Sequence, residues 1–107
     1  MKKIVYLIFF FSIGLFAQTP EESFNKANDA YQRGDYKNAI ENFNLSLKLT
    51  EDDYFSDDCY YFNAYCGYYM KDYEFSKEMI DKLINKYPDS AYYNEAKNLL
   101  KFIENAA

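Results

Sequence analysis

This sequence contains no histidine and no tryptophan, and only three glycines and two prolines occur among its 107 residues. The absence of histidine removes the commonest general base, together with the serine and cysteine triads that depend on it. No glycine-rich phosphate loop occurs either. Few helix breakers, with many Lys, Glu, Asn and Ala residues, favour long helices over short strands. We predict one small helical domain that is not an enzyme and needs no cofactor.

The first 17 residues have the composition of a secretory signal peptide. Lys2 and Lys3 form a charged start, an apolar run follows from Ile4 to Phe16, and the next residues are small and polar. The run is shorter than the about 20 residues that span a bilayer, and no lipoprotein cysteine follows it. We predict cleavage after Ala17, a periplasmic or secreted bacterial location, and no stable membrane anchor after cleavage. An uncleaved membrane anchor is the alternative.

The rest of the chain is acidic. Without Lys2 and Lys3 it keeps 10 of its 12 basic residues against 17 acidic ones, a net charge of −7. Such a domain is a poor candidate for binding nucleic acid or an anionic membrane. Five acids cluster between Glu51 and Asp58. This run lacks the central Gly and the final Glu of a calcium loop, so we prefer a solvated linker to a calcium site, with Asp57 and Asp58 favouring the start of the next helix.

Cys59 and Cys66 lie seven residues apart. On one helix this spacing separates them by two turns, about 10 Å, which is beyond the reach of a disulfide. The spacing matches no zinc-binding pattern. We predict two small buried thiols, with a disulfide between two chains as the alternative.

An internal repeat with an offset of 37 residues organises the chain. Small residues align with small ones, and large apolar residues with large apolar ones. The aligned pairs are Phe24 and Tyr61, Ala27 and Ala64, Ala30 and Gly67, Tyr31 and Tyr68, Asp35 and Asp72, Tyr36 and Tyr73, Phe43 and Ile80, and Leu47 and Ile84. The alignment indicates a duplicated helical hairpin.

Each copy has the apolar spacing of two consecutive helices. The predicted helices span 21–33, 36–49, 56–70 and 73–87. Between the first two, Gly34 can adopt the left-handed conformation that ends a helix, and Asp35 can cap the next one. The second copy has Lys71 in place of the glycine. Because a left-handed Lys costs about 1 kcal/mol, we expect that turn to be built differently.

A fifth helix is predicted after Pro88, which ends the helix before it, with Asp89 or Ser90 as the cap. Its apolar stripe and its polar side are separate. The stripe comprises Ala96, Leu99, Leu100 and Ile103, and the polar side comprises Lys97, Lys101 and Glu104. One apolar face and one solvent-exposed polar face are typical of a helix that caps a stacked array.

The segment from Ala27 to Phe43, with the pattern A-x3-Y-x2-GDY-x2-AI-x2-F, resembles a tetratricopeptide repeat. The second copy supplies matching residues at four positions and departs at two. The matches are Ala64, Tyr68, Tyr73 and Pro88, and the departures are Ser76 and Ile80. The segment from Lys86 to Ile103 is similar to repeats of exported envelope proteins of that family.

This resemblance implies an all-α array of two tetratricopeptide-like hairpins and a C-terminal capping helix, a fragment of a right-handed α-solenoid. The implied domain covers residues 18–107, after a signal peptide at 1–17. Repeat one covers 20–50, repeat two covers 56–88, and the capping helix covers 89–106.

In that family the first helix of each hairpin lines the concave groove, which implies a set of groove residues here. They are Phe24, Asn28, Tyr31 and Gln32 from copy one, beside Glu21, and Asp58, Tyr61, Tyr65, Tyr68 and Tyr69 from copy two. Tyr65 and Tyr69 align with the polar Asn28 and Gln32, so we expect these two rings to form an exposed aromatic patch. The alternative is that the tyrosines are all core, because the chain has few aliphatic residues.

Other aromatic and small residues are expected to serve packing. Phe24 with Tyr61, and Tyr31 with Tyr68, are expected to pack between neighbouring hairpins, while Tyr36 and Tyr73 pack within a repeat. Ala64 and Gly67 are expected at the contact with the partner helix, where small side chains allow close approach.

The function that the resemblance implies is an exported adaptor or scaffold of the bacterial envelope that binds a protein or peptide. The cationic clamp that known relatives use for a carboxylate is not expected, since the groove positions are acidic, amide or aromatic. A bound peptide would be apolar, Pro-rich or basic. The alternative is a self-associating structural subunit, since two repeats and a helix are fewer than the three repeats that stable stacks usually need.

Overall fold

The computed structural model describes residues 19–50 and 54–106 of the chain. The helices are α1 (Pro20–Gln32), α2 (Tyr36–Leu49), α3 (Ser56–Tyr69), α4 (Tyr73–Lys86) and α5 (Tyr93–Ala106). Each helix packs against the next one along the chain, which confirms the predicted all-α array of helical hairpins. The predicted signal peptide lies outside the described residues, as does 51–53 of the acidic run. No helix in the described ranges has the length and apolar character needed to cross a membrane.

Side-chain caps start the first, second and fourth helices. Thr19 and Glu22 form a capping box before α1, with each side chain accepting a hydrogen bond from the other residue's backbone N–H. Asp35 caps α2 by accepting from the backbone N–H of Asn38 at 3.4 Å. Asp72 caps α4 in the same way, accepting from the backbone N–H of Phe75 at 3.2 Å. The predicted role of Asp35 is confirmed, and Asp72 repeats it.

The two hairpin turns have the same construction. Gly34 has φ 78° and Lys71 has φ 63°, so both residues are left-handed. The backbone N–H of Asp35 donates to the carbonyl of Ala30 at 2.8 Å, and that of Asp72 donates to the carbonyl of Gly67 at 2.8 Å. This six-residue closure is the Schellman motif. The expectation of a different second turn is therefore wrong, because the closure and the aspartate cap together outweigh the strain at lysine.

Helices α3 and α4 approach closely at the small residues of α3. A Cβ atom built on Gly67 would lie 3.1 Å from the carbonyl oxygen of Asp72 and 3.1 Å from the backbone nitrogen of Ser76. Ser76 Oγ donates to the carbonyl of Ala64 at 2.6 Å. The predicted close contact at Ala64 and Gly67 is confirmed.

The fifth helix begins at Tyr93, two residues later than a cap at Ser90 would place its first residue. The backbone between Tyr87 and Tyr93 turns first, with Ser90 N–H donating to the Tyr87 carbonyl at 3.0 Å and Tyr93 N–H to the Ser90 carbonyl at 3.1 Å. Ser90 Oγ donates to Asp57 Oδ2 at 2.6 Å. Ser90 Oγ also accepts from the backbone N–H of Tyr92 at 3.0 Å, one residue before α5, so the serine holds the turn into α5 and binds this segment to the start of α3.

The predicted two faces of α5 are confirmed. Ala96, Leu99 and Ile103 are buried in the core that α3 and α4 provide. The residues of the predicted polar side are all exposed, namely Lys97, Lys101 and Glu104.

Both cysteines are fully buried and free. Cys59 and Cys66 pack with Ala27, Ala39 and Phe43 in the core of the first hairpin. Burial raises the pKa of each thiol to about 12. The prediction of buried free thiols is confirmed, and a disulfide between chains would require this core to open.

Candidate functional site

A row of tyrosine rings connects both hairpins and the segment before α5. Tyr61, Tyr65 and Tyr69 lie four residues apart on α3 and so share one side of it, with ring centroids 5.1 and 6.0 Å apart. Tyr36, the first residue of α2, stacks on Tyr69 at 5.1 Å. Tyr92 stacks on Tyr61 at 4.1 Å. We call these five residues the tyrosine face.

The tyrosine face is open to solvent at the C-terminal end of α3. The side chain of Tyr69 is 49% exposed although its ring stacks on Tyr36, and the adjacent Met70 is 47% exposed. Tyr65 and Tyr61 are half-buried. This end of the face therefore combines a stacked ring pair with accessible apolar surface.

Phe62 joins the two hairpins on the core side. Its ring centroid lies 5.3 Å from that of Tyr31, 6.5 Å from that of Phe24 and 5.7 Å from that of Phe43. Phe24 also stacks on Phe55 at 5.1 Å. The contact between hairpins thus runs through Phe62, whereas we expected Phe24 to meet Tyr61 and Tyr31 to meet Tyr68.

Sequence reasoning missed Phe62 because the repeat aligns it with Asn25, a polar residue of copy one. The available signal was its spacing of seven residues from Phe55, two helical turns that place both rings on one face. Tyr92 was missed as well. The fifth helix was expected to begin before Tyr92, whereas in the structure this residue lies in the segment that precedes α5.

The remaining residues of the predicted groove fall into distinct environments. Tyr68 contacts Tyr69 at 5.6 Å and Tyr73 at 6.2 Å, so it extends the tyrosine face towards α4. Asn28 is half-buried and Gln32 is exposed. The assignment of all these residues to a ligand groove stays a prediction.

The other end of the tyrosine face, at the start of α3, is rich in carboxylates. Tyr61 donates its hydroxyl hydrogen bond to Glu95 Oε1 at 2.7 Å. Asp58 is hydrogen-bonded to the side chain of Tyr92, and Asp57 accepts from Ser90. Three neutral hydroxyls thus bind three carboxylates that lie beside two stacked rings.

Burial and these hydrogen bonds shift the pKa values of Tyr61, Tyr92 and Asp58. Burial, with the hydrogen bond to Asp58, raises the pKa of Tyr92 to about 12. Burial and then the hydrogen bond to Glu95 raise the pKa of Tyr61 well above its usual range. Burial also raises the pKa of Asp58. Both tyrosines therefore stay neutral donors at physiological pH.

Asp57, Asp58 and Glu95 form no salt bridge with a cation of the described residues, and Lys86 lines the same pocket as Asp57 and Ser90. The salt bridge within the described residues joins Lys82 and Glu78 at 3.8 Å, and both of these residues lie on α4. Both oxygens of Asp57 already accept hydrogen bonds, from the backbone N–H of Asp58 and from Ser90, so Asp58 and Glu95 are the carboxylates better placed to meet an incoming cation. The same residues do not form a metal centre, since no cluster of three or more metal-binding side chains occurs within 19–50 and 54–106.

No family model, curated protein or solved structure matches this chain. Its function has to be inferred from its own residues and their geometry.

Proposed function

We propose that this chain is an exported, non-enzymatic adaptor of the tetratricopeptide-repeat type, and that its tyrosine face binds a segment of another protein. The signal-like composition of residues 1–17 supports export. The repeated pattern from Ala27 to Phe43 and the identical hairpin turns support the repeat type.

The observation that carries the proposal is the exposure of Tyr69 within a ring stack. Copy one has Asn28 and Gln32 where copy two has Tyr65 and Tyr69, so the repeat itself does not require rings at these positions. Tyr69 nevertheless stays half exposed. Tyrosine suits a binding surface because it offers a large ring and a polar tip with little side-chain entropy to lose.

The outer helices expose charged residues at both ends of the array, beside one exposed ring, Phe102 of α5, and these charges favour an adaptor over the alternative of a self-associating subunit. On α1, Glu22, Lys26 and Asp29 are exposed. On α5, Lys101 and Glu104 are exposed. Stacking another hairpin on either face would desolvate these charges without a built-in partner, which is costly.

A capture experiment tests the proposal. Residues 18–107, which contain every described helix and both core clusters, are immobilised and exposed to envelope extract of the source cell. We expect a protein that is retained by the parent chain and lost by the Tyr65→Ser, Tyr69→Ser variant. The matched control is Phe102→Ser, which removes a ring that is 65% exposed on α5 and should retain the protein.

Circular dichroism checks that all variants fold. If the parent and the double variant retain the same proteins, the tyrosines serve packing and the proposal fails. If the chain recovers only itself and its mass in sedimentation rises with concentration, self-association replaces the adaptor role.

A further inference from the structure

We propose that the partner segment is a basic, proline-rich stretch in extended conformation, with its Lys or Arg side chains at the carboxylate end of the tyrosine face. This inference rests on the proposed function and defines the chemical class of the partner. It follows from the arrangement of the rings and from the charges at one end of them.

The shape of the tyrosine face suits an extended chain. Its rings follow one another at centroid distances between 4.1 and 6.0 Å, in a single row along α3. Apart from Tyr68, which lies beside Tyr69, the row is one ring wide and therefore narrower than an α-helix, whose diameter with side chains is about 10 Å. A polyproline II helix rises about 3.1 Å per residue, so about four of its residues cover the roughly 12 Å from Tyr61 to Tyr69 on the helix.

The chemistry of tyrosine suits proline. Proline rings pack against aromatic rings in known recognition surfaces, and the polyproline II backbone is preformed and loses little entropy on binding. Its carbonyls make no internal hydrogen bonds, so they can accept from tyrosine hydroxyls. Tyr69, the most exposed ring of the tyrosine face, offers both an apolar surface and such a hydroxyl.

The charge at the start of α3 selects a basic segment. Glu95 is exposed and uses Oε1 to accept from Tyr61, which leaves Oε2 for another donor. Asp58 adds a second carboxylate beside the ring of Tyr92. A Lys or Arg here would meet carboxylates and the faces of stacked rings. An acidic segment would be repelled by the same groups and by the net charge of the domain.

Three synthetic peptides with blocked ends test this inference by isothermal titration calorimetry against residues 18–107. Their sequences are KPPKPPKPP, EPPEPPEPP and KSSKSSKSS. The first combines proline with positive charge, and each of the others removes one of the two features. We expect KPPKPPKPP to bind at least about tenfold more tightly than either control, with an affinity that falls as salt rises.

Two variants locate the contact. Tyr65→Ser, Tyr69→Ser should abolish binding of KPPKPPKPP. Glu95→Gln should weaken it about threefold and reduce its dependence on salt. The matched control is Glu104→Gln, which removes one exposed glutamate from the polar side of α5 and should leave the affinity unchanged.

The outcomes separate this inference from the proposed function. If EPPEPPEPP or KSSKSSKSS binds as tightly as KPPKPPKPP, the inferred class is wrong. If no peptide binds while the capture experiment still yields a tyrosine-dependent partner, the inferred class is again overturned and the adaptor role stands. If no peptide binds and no partner is captured, both proposals fail.

Discussion

Helices α1 and α3 are copies of one helix, yet they bury different amounts of their surface. Positions that are buried or half-buried in α3 are polar and exposed in α1. At the offset of 37 residues, Glu22, Asn25, Lys26 and Asp29 of α1 correspond to Cys59, Phe62, Asn63 and Cys66 of α3. Helix α3 is an interior copy that packs against α2 as well as α4. The corresponding side of α1 carries the polar residues named above and has no helix packed on it within the described residues.

Helix α5 differs from α3 on the other side of the helix, the side with which α3 packs against α4. At the same offset, Tyr60, Ala64 and Gly67 of α3 correspond to Lys97, Lys101 and Glu104 of α5. The three residues of α3 are buried towards α4, and the three of α5 are exposed. Only the middle copy is apolar on both sides, which is the pattern expected when the outer helices cap a stack.

The largest effect should come from giving α3 a residue of α1. Cys66→Asp places a carboxylate where α1 has the exposed Asp29, but in a site with no solvent exposure. An unpaired buried charge is strongly destabilising, so we expect a loss of about 3 kcal/mol or more in the free energy of unfolding. Urea unfolding followed by circular dichroism measures it.

The reverse exchange is its control. Asp29→Cys should change the free energy of unfolding by less than about 0.5 kcal/mol, since the site is exposed. Equal losses for the two variants would contradict the distinction between an interior copy and an end copy.

A smaller effect is expected at the contact of α3 with α4. Gly67→Ala puts a methyl group 3.1 Å from backbone atoms of Asp72 and Ser76, which cannot move as a flexible side chain would. We expect a net loss of about 1–2 kcal/mol despite the better helix propensity of alanine. The same urea measurement tests this, and a stabilised variant would show that the two helices are free to move apart.

The smallest effect should come from making the two turns alike. Lys71→Gly relieves the left-handed strain at φ 63°, and we expect a gain of up to about 1 kcal/mol. Gly34→Lys in copy one should cost a similar amount. The difference in urea midpoint between each variant and the parent measures both, and a loss on Lys71→Gly would mean that the lysine side chain stabilises the turn.

Much of the fold was predictable because its signals are local. Asp35 and Asp72 cap helices within three residues of themselves, and Gly34 ends one within a single turn. The apolar stripe of α5 also follows from spacing alone. These features gave the helix order and nearly all helix bounds.

The candidate site was predictable only in part. Tyr61, Tyr65 and Tyr69 follow one another by helical spacing, so their row on α3 was visible in the sequence. The rings that extend it, Tyr36 and Tyr92, come from other segments, and no local pattern pairs them with α3. At Lys71 the local signal was misleading. Lysine disfavours the left-handed conformation, yet the hydrogen bonds of the turn impose it there.

The sequence by itself determined the helices, their caps, the duplicated hairpin and the side of α3 that carries the tyrosines, because these depend on interactions within about one helical turn. Only the tertiary structure decided that Phe62 joins the hairpins, that Tyr36 stacks on Tyr69, and that Glu95 meets Tyr61 across 34 residues of sequence. Such contacts depend on how whole helices pack against one another.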